Sequence, residues 1–190
     1  MMENLDLSLA SVKNGVNTLK VLNIFGGPGS GKSVLRASFY SYLKREGYSI
    51  EECLEFAKEL TLKNDIRTLK ENQILVLGTQ LQKLKDIEQS GFDYAITDSP
   101  LILSSIYNKK FKQLDPLILE TFNYFENFNI FLKRDNSSFQ EKGRYQSISE
   151  AEKLDLEIKN FLEIHKIPFT TVNRSLSSKS LLKLLIDQGF

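Results

Sequence analysis

Lys20-Val21-Leu22-Asn23-Ile24-Phe25 runs without a break into Gly26-Gly27-Pro28-Gly29-Ser30-Gly31-Lys32-Ser33. The first six residues are a short apolar run, the pattern of a strand buried on both faces. The next eight satisfy G-x-x-x-x-G-K-[ST] in full. After Lys32, apolar Leu35, Phe39, Tyr42 and Leu43 return at helical spacing, and Gly47 ends the run. A strand, a glycine loop and an amphipathic helix in this order form a phosphate cradle. Glycines let the backbone wrap so that several N–H groups point at one anion, and the helix adds its N-terminal dipole. Gly27, Gly29, Ser30 and Gly31 are the expected cradle. Lys32 reaches the β- and γ-phosphates, and the Ser33 hydroxyl binds Mg²⁺. ATP and Mg²⁺ are thus the expected cofactors.

Outward from this loop, strands and helices alternate. Strands are expected at Tyr48–Cys53, Phe92–Thr97, Asn129–Leu132 and Ile167–Val172. Helices are expected at Leu54–Leu62, with Leu54, Ala57 and Leu60 or Leu62 inward, and at Glu71–Gln89, where Ile74, Leu77, Leu81, Leu84 and Ile87 step by three and four. Further helices are expected at Leu117–Phe125, after Pro116, and at Ser178–Gln188. Another follows the Ser147-x-x-Glu150 capping box, with Ile148, Ala151, Leu154, Ile158 and Phe161 on one face. Alternation of this kind predicts an α/β fold with a five-stranded parallel sheet covered by helices on both faces. Residues 1–18 read as a loose lead-in, and the polar stretch 133–147 as a lid loop.

The composition bounds the rest. The 190 residues fit one domain spanning 1–190. Lys and Arg total 25 against 24 Asp and Glu, a formal charge of +1, so bulk electrostatic attraction to nucleic acid or anionic lipid is excluded. One cysteine, Cys53, excludes an internal disulfide and a multi-cysteine zinc site, and reads as core. His165 is the one histidine; near a helix end, it reads as structural. The first residues carry Glu3 and Asp6 and no continuous apolar core, unlike a secretory signal. No stretch approaches the ~20 apolar residues needed to span a bilayer. The expectation is a cytoplasmic protein, in the host cytoplasm if phage-encoded, with no membrane partner, as a monomer or small homo-oligomer.

Tyr94-Ala95-Ile96-Thr97-Asp98 is an apolar strand ending in an acid, as in a Walker B element. Asp98 is the expected second Mg²⁺-side group and a candidate orienter of the acceptor; alternatively it caps the turn at Ser99-Pro100. Glu52 and Glu55 follow the second strand, at the carboxyl edge where ligands bind in parallel sheets. A carboxylate there can accept the proton of an attacking hydroxyl. Lys58, one turn beyond Glu55, pairs with it or faces a substrate anion. Gln80, on a helix flank, either reads a substrate edge or is an ordinary exposed side chain. Arg134 and Arg144 bracket the lid loop, where guanidinium groups clamp transferring phosphoryl oxygens. Lys109, Lys110 and Lys112 form a further basic cluster.

Taken together, GGPGSGKS, Glu55-Phe56-Ala57-Lys58, Gln80, Asp98-Ser99-Pro100 and Gly143-Arg144-x-Gln146 resemble the small P-loop nucleotide-kinase-like family common in bacteriophages. That family is often labelled AAA-type ATPase and is similar to the ribosylnicotinamide kinase domain. The resemblance spans about Leu19 to Asn173. It implies the P-loop NTPase fold of nucleoside and nucleoside-monophosphate kinases, with the central strand carrying the phosphate loop. It implies transfer of the γ-phosphate of MgATP to a nucleoside, nucleotide or related acceptor, and favours Glu55 over Glu52 as base. If the acceptor is a hydroxyl, Glu55 or Asp98 is the candidate base; if a phosphate, none is needed. Some phage kinases resembling this family act on hydroxymethylated pyrimidines in DNA, so DNA is an alternative partner. A nucleotide-gated module or ATPase without transfer is the alternative from a different class.

Overall fold

The computed structural model describes residues 18–108, 110–111, 113–134 and 148–190. Its strands are β1 (Lys20–Phe25), β2 (Ile50–Cys53), β3 (Tyr94–Thr97), β4 (Glu126–Lys133) and β5 (Thr170–Asn173). They form one sheet in the order β2-β3-β1-β4-β5, and every neighbouring pair is parallel. β1 is central, with Leu22 level with Ile96 on one side and Phe128 on the other. Residues Val21 to Phe25 are all buried, four apolar side chains around the single amide of Asn23, as a strand covered on both faces requires.

Eight helices lie among the described residues: α1 (Lys32–Arg45), α2 (Phe56–Leu62), α3 (Ile66–Glu71), α4 (Gln73–Gln89), α5 (Leu103–Tyr107), α6 (Leu114–Asn123), α7 (Ile148–Ile164) and α8 (Ser178–Ile186). They build two cores, one per sheet face. Val21 and Phe25 of β1 face Leu77 and Leu84 of α4, Ile118 and Phe122 of α6, and Leu154, Ile158 and Leu162 of α7. Leu22 and Ile24 face Phe39 and Leu43 of α1 and Leu181 and Leu185 of α8. Alternate residues of one strand thus serve opposite cores. The first core also holds an amide ladder. Asn23 Nδ2 donates to Asn127 Oδ1 at 2.8 Å and Asn129 Oδ1 at 3.0 Å, which satisfies polar groups that the apolar strands would otherwise strand. No helix among the described residues is long and apolar enough to cross a membrane.

The α/β class and the five parallel strands match the sequence expectation; several boundaries do not. α2 starts at Phe56, leaving Leu54 49% exposed, and its inward residue is Leu60, since Leu62 is 79% exposed. α3 was not expected; Asp65 caps it by accepting the Thr68 N–H at 3.1 Å. Asn72 likewise caps α4 through the Leu75 N–H, and Val76 rather than exposed Ile74 joins the core. α5 was also unexpected. α6 takes Pro116 into its first turn and ends at Asn123, so residues expected to be helical lead into β4. On α7, Leu162 is fully buried, while Phe161 is partly covered and Ile148 exposed. The lead-in, residues 135–147 of the expected lid, Ser147 of the capping box and Arg144 lie outside the described residues, as do Lys109 and Lys112.

Candidate functional site

Parallel strands bring their carboxyl ends to one edge, and Lys32, Asp98 and Glu55 stand there. The chain leaves β1 through Gly26, Gly29 and Gly31, whose φ angles of 141°, 82° and 100° lie in the region that favours glycine. The loop turns on a Ser30 N–H to Gly27 carbonyl bond of 3.3 Å. α1 then begins, with the Val34 and Leu35 N–H groups closing onto the Gly31 carbonyl. Ser30 is 2% exposed and its Oγ is buried with no hydrogen-bond partner. An orphaned hydroxyl inside a glycine cradle is what an anion would satisfy.

Lys32 lies half-buried, its Nζ donating to the Gly27 carbonyl at 2.9 Å. Burial pushes its pKa below the ordinary lysine value, against the opposing pull of Glu55, Asp98 and Asp155. Asp98 follows β3 and is 4% exposed. It is balanced by Arg36, whose Nε lies 3.2 Å from Asp98 Oδ1 and whose Nη1 pairs with Glu52. Ser33 at the start of α1 and Asp98 at the end of β3 offer hard oxygen donors of the kind Mg²⁺ takes.

Glu55 is the residue preceding α2, in extended conformation, and its side chain does not cap that helix. Its carboxylate faces Lys32, Asp98, Lys58 and Arg36; burial raises its pKa above the ordinary glutamate value, and Asp98 adds to the rise. The structure thus groups Lys32, Glu55 and Asp98. Glu52 is held on Arg36, and Lys58 is exposed beside Glu55.

Gln80 is not the ordinary exposed side chain that one of its two readings expects. It is 3% exposed. Its Nε2 donates to Cys53 Sγ at 3.0 Å and to Thr97 Oγ1 at 3.5 Å, and its Oε1 accepts the Phe56 N–H at 3.2 Å. It therefore ties α4 to the ends of β2 and β3 and to the start of α2, just behind Glu55. Gln80→Leu should lower stability by about 1–3 kcal/mol, because it strands the Phe56 N–H; urea unfolding measures this. Cys53, in the same network, is buried, and burial pushes its thiol up to about 12, as suits a core residue. His165 stacks on Phe161 with ring centres 4.3 Å apart, away from the phosphate loop.

Arg134, one residue past β4, lies against the phosphate loop, but its guanidinium is directed at protein acceptors. Nε bonds Asp155 Oδ2 at 2.7 Å, Nη1 the Pro28 carbonyl at 2.8 Å and Nη2 the Ala151 carbonyl at 3.4 Å. Asp155 also accepts the Gly27 N–H. Sequence reasoning missed four residues at this edge: Arg36, Asp155, Tyr107 and Arg174. Tyr107, at the end of α5, faces Glu55, Glu157 and Asp155, and burial together with these carboxylates pushes its phenol up to about 12. Arg174, just after β5, lies 3.5 Å from where a Cβ on Gly31 would stand. Only Arg36 carried a sequence signal: it lies one helical turn beyond Lys32, on the same face.

A family model described as an AAA domain matches residues 21–179. No curated protein matches. Among solved structures, that of the NadR protein in complex with NR superposes with a TM-score of 0.60 at 14% identity, covering 90% of this chain and 51% of that one. The chain thus spans about half the length of that relative. Deoxyadenosine kinase from M. mycoides with bound dATP matches at 19% identity and a TM-score of 0.48, covering 88% of this chain and 98% of that one. At these identities the likeness is one of fold.

Proposed function

Because the chain belongs to the AAA-domain family, a P-loop nucleotide-binding domain related to kinase and NTPase folds, we propose that it is a phosphotransferase moving the γ-phosphate of MgATP to a nucleoside, nucleotide or related acceptor. One arrangement carries the reading: Lys32 at the start of α1, Asp98 directly after β3 and Glu55 two residues after β2 all stand at the same carboxyl edge of the sheet. A carboxylate outside the loop can take the proton of an attacking hydroxyl, whether of an acceptor or of water, so a panel of acceptors separates transfer from hydrolysis.

In this reading the loop beyond Pro28 presents its backbone N–H groups to the phosphates, while the Gly27 N–H stays on Asp155. Lys32 leaves the Gly27 carbonyl for the β- and γ-phosphoryl oxygens, where it stabilises charge in a site with little water. Ser33 and Asp98 would hold Mg²⁺, which would supply positive charge against the phosphates. Glu55 takes the proton of a hydroxyl acceptor. Glu52 and Lys58 line the acceptor side, and Arg144 supplies a lid guanidinium. The resemblance to nucleoside kinases, together with the NadR structure in complex with NR, makes nucleosides the first acceptors to try.

ATP consumption measured against a panel of nucleosides and nucleoside monophosphates tests this. Consumption is expected to rise when one acceptor is added. Hydrolysis indifferent to every acceptor identifies an ATPase or switch instead. DNA with and without hydroxymethylated pyrimidines belongs in the panel; stimulation by modified DNA alone moves the acceptor from a free molecule to a base in a strand.

A further inference from the structure

The pairing of Asp155 with the phosphate loop is a contact that the proposed chemistry does not use. Gly27 has one peptide group on each side, and protein side chains hold both. Its N–H is bonded by Asp155, the next carbonyl, of Pro28, is bonded by Arg134 Nη1 at 2.8 Å, and its own carbonyl is bonded by Lys32 Nζ at 2.9 Å. Arg134 closes the ring by donating to Asp155 Oδ2 at 2.7 Å. The pair is well covered: the side chains are 7% and 15% exposed. The loop is pressed against α7 so closely that a Cβ on Gly27 would lie 2.7 Å from the Ala151 carbonyl and 2.9 Å from Asp155 Oδ1. Gly27 is thus required for close approach and not for its φ.

A carboxylate beside an anion-binding loop is unfavourable on its own, since it repels the ligand. Here Arg134 offsets it, with its Nε on Asp155 Oδ2 at 2.7 Å. We propose that Asp155 and Arg134 are a positioning pair that fixes the Gly27–Pro28 segment of the phosphate loop in its anion-binding shape, Asp155 holding the amide and Arg134 neutralising Asp155. The inference rests on residues 26–33 being a phosphate cradle. It assigns Arg134 to the loop's outer wall instead of the transferring phosphoryl group, the role expected of it from sequence.

The two roles separate in a double-mutant cycle. Arg134→Met leaves the Asp155 charge uncompensated and is expected to weaken MgATP binding by roughly tenfold or more, a change falling mainly on KM. Asp155→Asn keeps an oxygen acceptor for the Gly27 N–H and removes the repulsive charge, so its effect is smaller, about threefold or less. The double variant should recover most of what Arg134→Met alone loses. Additive losses, or a loss in kcat that Asp155→Asn does not rescue, overturn the proposal and return Arg134 to the phosphoryl group. A second measurement needs no nucleotide. Amide hydrogen exchange in residues 25–31 of the free protein should speed up by roughly tenfold in Asp155→Ala, with residues 126–133 of β4 unchanged as a folding control. Unchanged exchange in the loop overturns the proposal. This readout stands even if the wild-type protein fails to transfer phosphate, which would defeat the proposed function alone.

Discussion

Replacing Lys32 with methionine should lower phosphoryl transfer by at least roughly a hundredfold to a thousandfold, the cost typical of removing one preorganised donor from developing charge. The ammonium is held in place before any ligand arrives, bonded to the Gly27 carbonyl 2.9 Å away. It is partly desolvated there, and burial works against its charge while Glu55, Asp98 and Asp155 work for it. An ammonium already fixed on the loop, half out of water, is preorganised for phosphate. Methionine matches its length without its charge, so the packing around the loop should survive. Thermal unfolding of the variant checks that the loss is one of chemistry.

Glu55→Gln has the second largest expected effect. With a hydroxyl acceptor the rate should fall by about 10²–10⁴-fold, the usual contribution of a general base. With a phosphate acceptor it should hardly change, because no proton needs removal, so this variant also sorts acceptor classes. The pH dependence follows from the raised pKa. Glu55 acts as base only when ionised, so kcat/KM, which reports the free protein, should rise with pH through a value above the ordinary glutamate pKa, and that limb should vanish in Glu55→Gln. Stability should move the other way. A carboxyl whose pKa is higher folded than unfolded favours the folded state at low pH, and that contribution is lost as pH rises through the folded pKa. Near neutrality Glu55 is therefore a cost to the fold, and Glu55→Gln should raise the thermal midpoint while it lowers the rate. A rise in both, or a fall in both, contradicts the assigned role.

The contrast between Lys32 and Asp155 shows what the sequence makes legible. Strand β1, the loop and helix α1 are read from contiguous residues, because backbone conformation there is set locally by glycines and by a helix repeat. Lys32 stands out because it ends the glycine loop, and Asp98 and Glu55 because each comes within two residues of the end of a readable strand, where parallel strands must deliver their ends to one edge. Asp155, inside Leu154-Asp155-Leu156, looks like any solvated helix acid; its partners Gly27 and Arg134 come from β1 and β4 ends distant in sequence. Gln80 misled for the same reason: on a helix flank it reads as exposed, yet the ends of β2 and β3 bury it. The helices α3 and α5 were missed because six and five residues hold too little periodicity to register. Asp65 ahead of Ile66 was a usable cap signal for the first of them.

The most direct test of the central claim follows γ-phosphate label from MgATP, with wild-type protein and Lys32→Met side by side, into separated nucleoside and nucleotide acceptors. The account predicts label in one acceptor with the wild type and its loss in the variant. Label appearing only as free phosphate with every acceptor, or transfer that persists undiminished without Lys32, would contradict it.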